Sequence, residues 1–337
     1  MIRVLVADDS PTFRAVLRII LSGAPDVEVV AEAADGLEAV AQARALRPDV
    51  ITLDVVMPRM SGLEALEEIM RTVPTPVVVV SAQGEDQQLG FRALGLGAVE
   101  VVAKPQGEPA RRERQAEAIR MAVRAVAGLT LVGRRPRAAR GEAPARMAPR
   151  GRPIEVVGIA ASTGGPQALA RILSQLPAAY PAPILVVQHI APGFEEGLVR
   201  WLGSATPLAV RIAEAGEPVS PGTVLFAPEG RHLAVARGRV RLDDGPPVKG
   251  FRPSGTILFE SLAAEFGARA AGLVLSGMGD DGVAGLSTLR ARGGFAAAQG
   301  PASSVVHGMP RAAVERGAAE VQAELEEIAP MLSKLVG

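Results

Sequence analysis

Residues 154–166 read IEVVGIAASTGGP. The apolar, β-branched run Ile154–Ile159 predicts a buried strand, and Gly164, Gly165 and Pro166 predict a tight turn into a helix. A strand that turns directly into a helix is the repeating unit of a parallel α/β sheet. Ser162 then stands at a helix N-terminus, where free N–H groups and the helix dipole favour an oxyanion. The order A-A-S-T-G-G differs from a G-x-S-x-G elbow, and no lysine follows in the position of a phosphate-cradling loop. On this stretch alone, a serine nucleophile and an anion-binding loop stand level.

Toward the C-terminus, apolar runs recur at Ile184–Val187, Val224–Phe226, Leu273–Leu275 and Phe295–Ala298. They predict a doubly wound, mostly parallel α/β domain. Turn residues at Gly216, Pro221–Gly222, Glu229–Gly230 and Arg237–Gly238 predict an inserted hairpin region between Leu208 and Leu242. A final helix is expected over about Val321 to Leu335. The chain has three histidines, His189, His232 and His307, so candidates for a general base are few. His189 follows the second strand of this half and falls on the same sheet edge as Ser162. After Leu275 and Ser276 comes Gly277-Met278-Gly279-Asp280-Asp281-Gly282. A carboxylate there can fix a histidine tautomer, or it can cap the following helix.

Toward the N-terminus, Ile2–Ala7, Val27–Ala31, Val50–Leu53, Val77–Val80 and Val99–Val102 alternate with helical segments at Phe13–Leu21, Leu37–Leu46 and Leu63–Met70. A further helix, about Pro109 to Gly128, closes the set. The pattern predicts a five-stranded parallel sheet covered on both faces. Asp8 and Asp9 follow its first strand and Asp54 ends its third. Carboxylates converging on one edge repel unless a hard divalent ion with oxygen ligands, such as Mg²⁺, sits among them. Ser81 ends the fourth strand and Lys104 the fifth, a hydroxyl and an ammonium suited to an incoming anion. The set fits a phosphoryl group held on a carboxylate. Solvated acids at strand ends are the bland alternative.

Between the halves, Leu131–Pro153 carries Arg134, Arg135, Arg137, Arg140, Arg146, Arg150 and Arg152 among Pro, Gly and Ala, with Glu142 the sole acid. This is the composition of an extended, self-repelling linker. The domains are expected at 1–128 and 154–337, with the linker at 129–153. A nucleic-acid patch is the sharper reading of the arginines, but no aromatic residue interleaves with them. The 36 basic and 36 acidic residues balance, so no global field favours nucleic acid or acidic membranes. Absence of cysteine removes thiolate catalysis and disulfides. No apolar run approaches the ~20 residues of a membrane span, and the first residues lack the ~7–15-residue apolar segment of a secretory signal. A cytoplasmic protein without membrane insertion is expected.

Residues 1–105, with DD, D, S and KP on successive strand ends, resemble a two-component response-regulator receiver. That resemblance implies a flavodoxin-like domain phosphorylated on Asp54, with Asp8, Asp9 and Asp54 holding Mg²⁺ and Ser81 and Lys104 sensing the phosphoryl group. Val101 stands where receivers usually carry an aromatic residue, and Val56 where an acidic or polar one is common. In the other half, GIAASTGGP, VVQHI, FAPEGRHL, LSGMGDDG and QGPASSVVHGMPRAA resemble the catalytic domain of the CheB protein-glutamate methylesterases. The resemblance implies Ser162 as nucleophile, His189 as base and Asp281 as orienting acid, Asp281 rather than Asp280 because the family pattern is G-M-G-x-D-G. It gives Thr163 and Met278 as oxyanion-hole N–H donors, and puts His307 where an aromatic is common. The implied reaction is metal-free hydrolysis of glutamate γ-methyl esters on methyl-accepting chemotaxis receptors, with glutamine deamidation in some members. The implied phosphodonor is a chemotaxis histidine kinase. An unphosphorylated receiver covering the active-site edge is the expected mode of control. A catalytically dead adaptor and a transcriptional regulator are the rival classes.

Overall fold

Valine-rich runs form the strands, and cap residues set the helix starts. In the computed structural model, which describes residues 1–82, 85–129 and 153–336, the chain divides into two units. In the first, β1 (Ile2–Ala7), β2 (Val27–Ala33), β3 (Val50–Leu53), β4 (Val77–Ser81) and β5 (Glu100–Ala103) alternate with α1 (Pro11–Ser22), α2 (Gly36–Leu46), α3 (Gly62–Thr72), α4 (Glu85–Leu96) and α5 (Pro109–Val126). The sheet is parallel, in order β2-β1-β3-β4-β5, the flavodoxin-like order. Ser10 caps α1 ahead of Pro11, and Ser61 with Glu64 forms a capping box on α3. Strands β3 and β4 are buried along their whole length, as a sheet covered on both faces requires.

The second unit runs β6 (Val156–Ala161), α6 (Gly165–Leu173), β7 (Ile184–Gln188), α7 (Glu195–Ala205), β8 (Ala209–Ile212), β9 (Thr223–Phe226), β10 (His232–Ala236), β11 (Arg239–Asp243), α8 (Gly255–Glu265), β12 (Ala270–Val274), α9 (Val283–Ala291), β13 (Phe295–Gln299), α10 (Met309–Glu315), β14 (Val321–Ala323) and α11 (Leu325–Val336). Its seven-stranded sheet has the order β14-β13-β12-β6-β7-β9-β8. Successive strands leave β6 toward β7 on one side, and the later strands begin at β12 on the other. The crevice at the carboxyl ends of β6 and β12 is therefore the topological switch point, where ligands bind in open α/β sheets.

Two expectations change. Of the predicted hairpins, only β10–β11 forms, as a separate antiparallel pair around Arg237 and Gly238; β8 and β9 join the main sheet in parallel. The reason lies between them: Pro218 makes an antiparallel bridge to Arg239, so the chain reverses twice before β9. The last helix begins at Leu325 rather than Val321, because Val321–Ala323 pairs with β13. The expected linker lies almost entirely outside the described residues.

Candidate active site

Three adjacent strands converge at the switch point. Ala161 pairs with Gln188, and Ala160 with Val274, so Ser162, His189 and the loop after β12 leave the sheet side by side. Backbone bonds tie them: His189 N donates to Ala161 O at 2.9 Å and Ser162 N to Ser276 O at 3.0 Å. Gln188 Nε2 donates to the carbonyls of Ser162 and His189 at 2.8 and 2.9 Å. Gly164, at φ 76°, makes the turn into α6, and a Cβ there would collide with Val305. Ser162 thus precedes the α6 N-terminus, as its sequence context predicts. Gly277 packs against Ser162 with no room for a side chain. The N–H groups of Thr163 and Met278 meet no protein acceptor among the described residues.

It is Asp281 that faces His189, with Nε2 3.0 Å from Oδ2. Neither imidazole nitrogen makes an aligned hydrogen bond among the described residues, so the two groups are in close contact without an aligned bond. Asp281 is 1% exposed. Ser254 Oγ donates to its Oδ1 at 2.5 Å, Gly255 N to its Oδ2 at 2.6 Å and Thr256 Oγ1 to its Oδ1 at 3.3 Å. Burial pushes the carboxyl up, but His189, Ser254 and the Gly255 amide outweigh it and hold Asp281 below the usual carboxylate range. Gly255 opens α8, so the helix dipole favours the same anion. Asp280 points elsewhere, pairing with Lys249 at 2.7 Å and Arg316 at 2.5 Å. His232 is a buried strut, its Nε2 3.1 Å from Pro246 O and its Nδ1 accepting from Ser254 N at 3.2 Å. His307 bridges to Gly277 through the backbone, and its ring contacts Gln322.

The first unit carries a second cluster. Asp8 and Asp54 are buried at the carboxyl ends of β1 and β3, and Lys104 Nζ stands 2.8 Å from Asp8 Oδ2 and 2.6 Å from Asp54 Oδ2. Burial, with the Asp8 charge adding, pushes Asp54 up to about 6 against the opposing pull of Lys104. Burial lowers Lys104, yet the two carboxylates leave it above its ordinary value. Asp8, Asp9 and Asp54 each bring an oxygen to within 4.8 Å of the others. Hard oxygen donors with this convergence fit a divalent cation. Ser81 is buried with Oγ on Ala82 O at 3.2 Å, and Val101 is buried against Gly90. A Cβ at Gly62 would collide with the Asp54 carbonyl, so α3 can start this close to the phosphorylation candidate only on glycine. Among the described residues, no helix is long and apolar enough to cross a membrane.

A family model described as CheB methylesterase matches residues 157–332, and one described as response regulator receiver domain matches residues 4–114. A protein-glutamate methylesterase/protein-glutamine glutaminase of Anaeromyxobacter dehalogenans (strain 2CP-C) is 50% identical over 342 positions, covering 99% of this chain and 98% of its own. The chain belongs to the CheB methylesterase family. A similarly named relative from Myxococcus xanthus (strain DK1622) is 47% identical, covering 98% of this chain and 96% of its own. The crystal structure of the Thermotoga maritima CheB methylesterase catalytic domain covers 54% of this chain and 99% of that one, at 36% identity and TM-score 0.53.

For a CheB-family chain, several contacts of the site leave no motif. Ser254 reads as the N-cap of α8, and it is one, accepting from Thr256 N; its second bond, to Asp281, crosses the fold. Phe251, whose ring lies on His189 at a centroid distance of 4.2 Å, sits in a loop with no chemical signature. The run Pro253-Ser254-Gly255-Thr256, a helix-start pattern, is the sequence signal that could have directed attention there.

Proposed function

We propose that the second unit of this enzyme hydrolyses glutamate γ-methyl esters on methyl-accepting chemotaxis receptors through Ser162, His189 and Asp281. The observation that carries the reading is the contact of His189 Nε2 with the buried Asp281 carboxylate on strand ends that flank Ser162. Asp281, kept ionised by its donors, fixes the N–H of Nε2 and leaves Nδ1 to take the Ser162 proton. Ser162 Oγ attacks the ester carbonyl. The negative charge that develops on the carbonyl oxygen is met by the N–H groups of Thr163 and Met278, which meet no protein acceptor among the described residues. Imidazolium returns the proton to the methoxide oxygen, methanol leaves, and water activated by His189 resolves the acyl-enzyme. A glutamine side chain gives the same acyl-enzyme with ammonia as leaving group, so deamidation uses the same groups.

Asp54 accepts the phosphoryl group in the receiver, and a chemotaxis histidine kinase donates it. Asp8, Asp9 and Asp54 would hold Mg²⁺, which would supply charge neutralisation for that transfer. Lys104 pairs with the phosphoryl oxygens and the Ser81 hydroxyl donates a hydrogen bond to them. The enzyme works in the cytoplasm, where the methylated receptor helices lie. The test is methanol release from a methylated receptor fragment by wild type and Ser162→Ala, each with and without a small-molecule phosphodonor. Release that requires Ser162 and rises with phosphodonor supports both parts. Wild-type release in Ser162→Ala overturns the nucleophile, and release indifferent to phosphodonor overturns the control.

A further inference from the structure

Of the loop from Asp244 to Ser254, the reaction above uses Ser254 alone, as a donor to Asp281, yet the loop also lies against His189. Val248 and Phe251 bond to each other in both directions, Val248 N to Phe251 O at 3.0 Å and Phe251 N to Val248 O at 2.9 Å. Between them Lys249 and Gly250 lie at φ 50° and 87°, the left-handed pair of a tight two-residue hairpin. The tip is held by Lys249 Nζ on Asp280 Oδ2 at 2.7 Å. The base is held by Arg252 Nη1, which donates to the carbonyls of Asp244 and Gly245 at 3.2 and 3.1 Å. His232 ties Pro246 to Ser254 from beneath. So anchored, the hairpin lays the Phe251 ring flat on the His189 imidazole, centroids 4.2 Å apart and planes 8° from parallel.

We propose that Phe251 is a positioning residue: its ring fixes the plane of the His189 imidazole and so keeps Nε2 on Asp281. The proposal rests on the reading of His189 as the base. Hydrogen bonds do not set that plane, since neither ring nitrogen makes an aligned one among the described residues. The remaining freedom is rotation of the imidazole about its bond to Cβ, a broad and weakly restrained torsion. A flat aromatic face on one side of the ring removes it, because turning out of plane drives an imidazole edge into Phe251. Phe251 itself is partly exposed, so its contact with His189 is not a by-product of core packing.

If the contact were plain apolar cover, leucine would serve as well; if it sets the plane, only another aromatic ring will. The full chain is compared as wild type, Phe251→Leu, Phe251→Tyr and His189→Gln. The readouts are kcat and KM on a γ-methyl-esterified receptor fragment and the imidazole resonances of the three histidines. The expected result is a kcat lower by roughly 10- to 100-fold in Phe251→Leu with KM little changed, and recovery in Phe251→Tyr. The His189 ring protons, assigned by their loss in His189→Gln, sit upfield under the aromatic face in wild type and Phe251→Tyr, and move downfield in Phe251→Leu. Wild-type kcat in Phe251→Leu, an equal loss in Phe251→Tyr, or unmoved His189 resonances each overturn the proposal. Hydrolysis by His189→Gln at the wild-type rate overturns the base reading itself, and is distinguishable because it is independent of every Phe251 variant.

Discussion

Asp281 is buried and surrounded from three directions: the His189 imidazole in close contact, and a serine hydroxyl and the first amide of α8 as donors. Replacing it by asparagine keeps the volume but leaves the Gly255 amide or the Ser254 hydroxyl facing an NH₂ group, and gives His189 no charge to stabilise. Asp281→Asn should lower kcat by on the order of 10²- to 10⁴-fold, measured on the same ester substrate. The carboxyl lies below its ordinary value in the folded chain. Its contribution to stability is therefore present above the unfolded value of about 3.9 and is lost as pH falls through the folded one. Thermal melts across an acid series should show a shallower loss in Asp281→Asn than in wild type. At this scale the resemblance to the CheB pattern G-M-G-x-D-G implied Asp281 rather than Asp280 before any distance was known. The partners of Asp281 were not legible in the sequence, because Ser254 and Gly255 reach it across the fold and a bond between distant segments leaves no local periodicity.

Elements add what single residues do not. The Val248–Phe251 hairpin is latched by an ion pair whose lysine is 54% exposed, and such pairs are worth about 0.2–1 kcal/mol. Lys249→Ala should then cost no more than about fivefold in kcat, and added salt should narrow the gap between it and wild type. Helix α7 offers a test of sign. It begins at Glu195, which burial, the charges of Glu229 and Glu196 adding, pushes up to about 7. The stability that accompanies a neutral Glu195 is fully present below about pH 4, the unfolded range, and has been lost once pH passes about 7. Glu195→Gln should melt higher than wild type at pH 8, by on the order of 1–3 kcal/mol in stability, with the two curves converging near pH 4. Sequence patterns located the strands of the first sheet, most of the parallel strands of the second and helices α1, α2, α3 and α5, since their apolar periods are local. They misjudged β8 and β14, whose identity depends on what lies alongside: β8 pairs with β9 in parallel because Gly216–Val219 runs against β11, and Val321–Ala323 is a strand because β13 offers it an edge.

On the scale of the whole chain, both units set their chemistry at the carboxyl ends of parallel strands. In the receiver, Asp54→Asn should abolish the ratio of phosphodonor-stimulated to basal methanol release, and chelation of divalent cations should bring the wild-type ratio to one. A ratio above one in either case would place the phosphoryl acceptor or its cation elsewhere. The division into two α/β units was plain from the sequence because composition changes sharply at the arginine-rich stretch, while the tuning of each edge, such as Lys104 between Asp8 and Asp54, needed the sheet order to appear. The placement of both chemistries on one kind of edge leaves the amino-terminal edges on the far side of each sheet from its cluster. Exposed positions there, such as Ser22 ahead of β2 and Arg292 ahead of β13, touch neither cluster. Since the chain has no cysteine, a thiol introduced at each would be the only pair of attachment points for spin or fluorescent labels. Labels there would report whether the distance between the two positions changes when a phosphodonor is added.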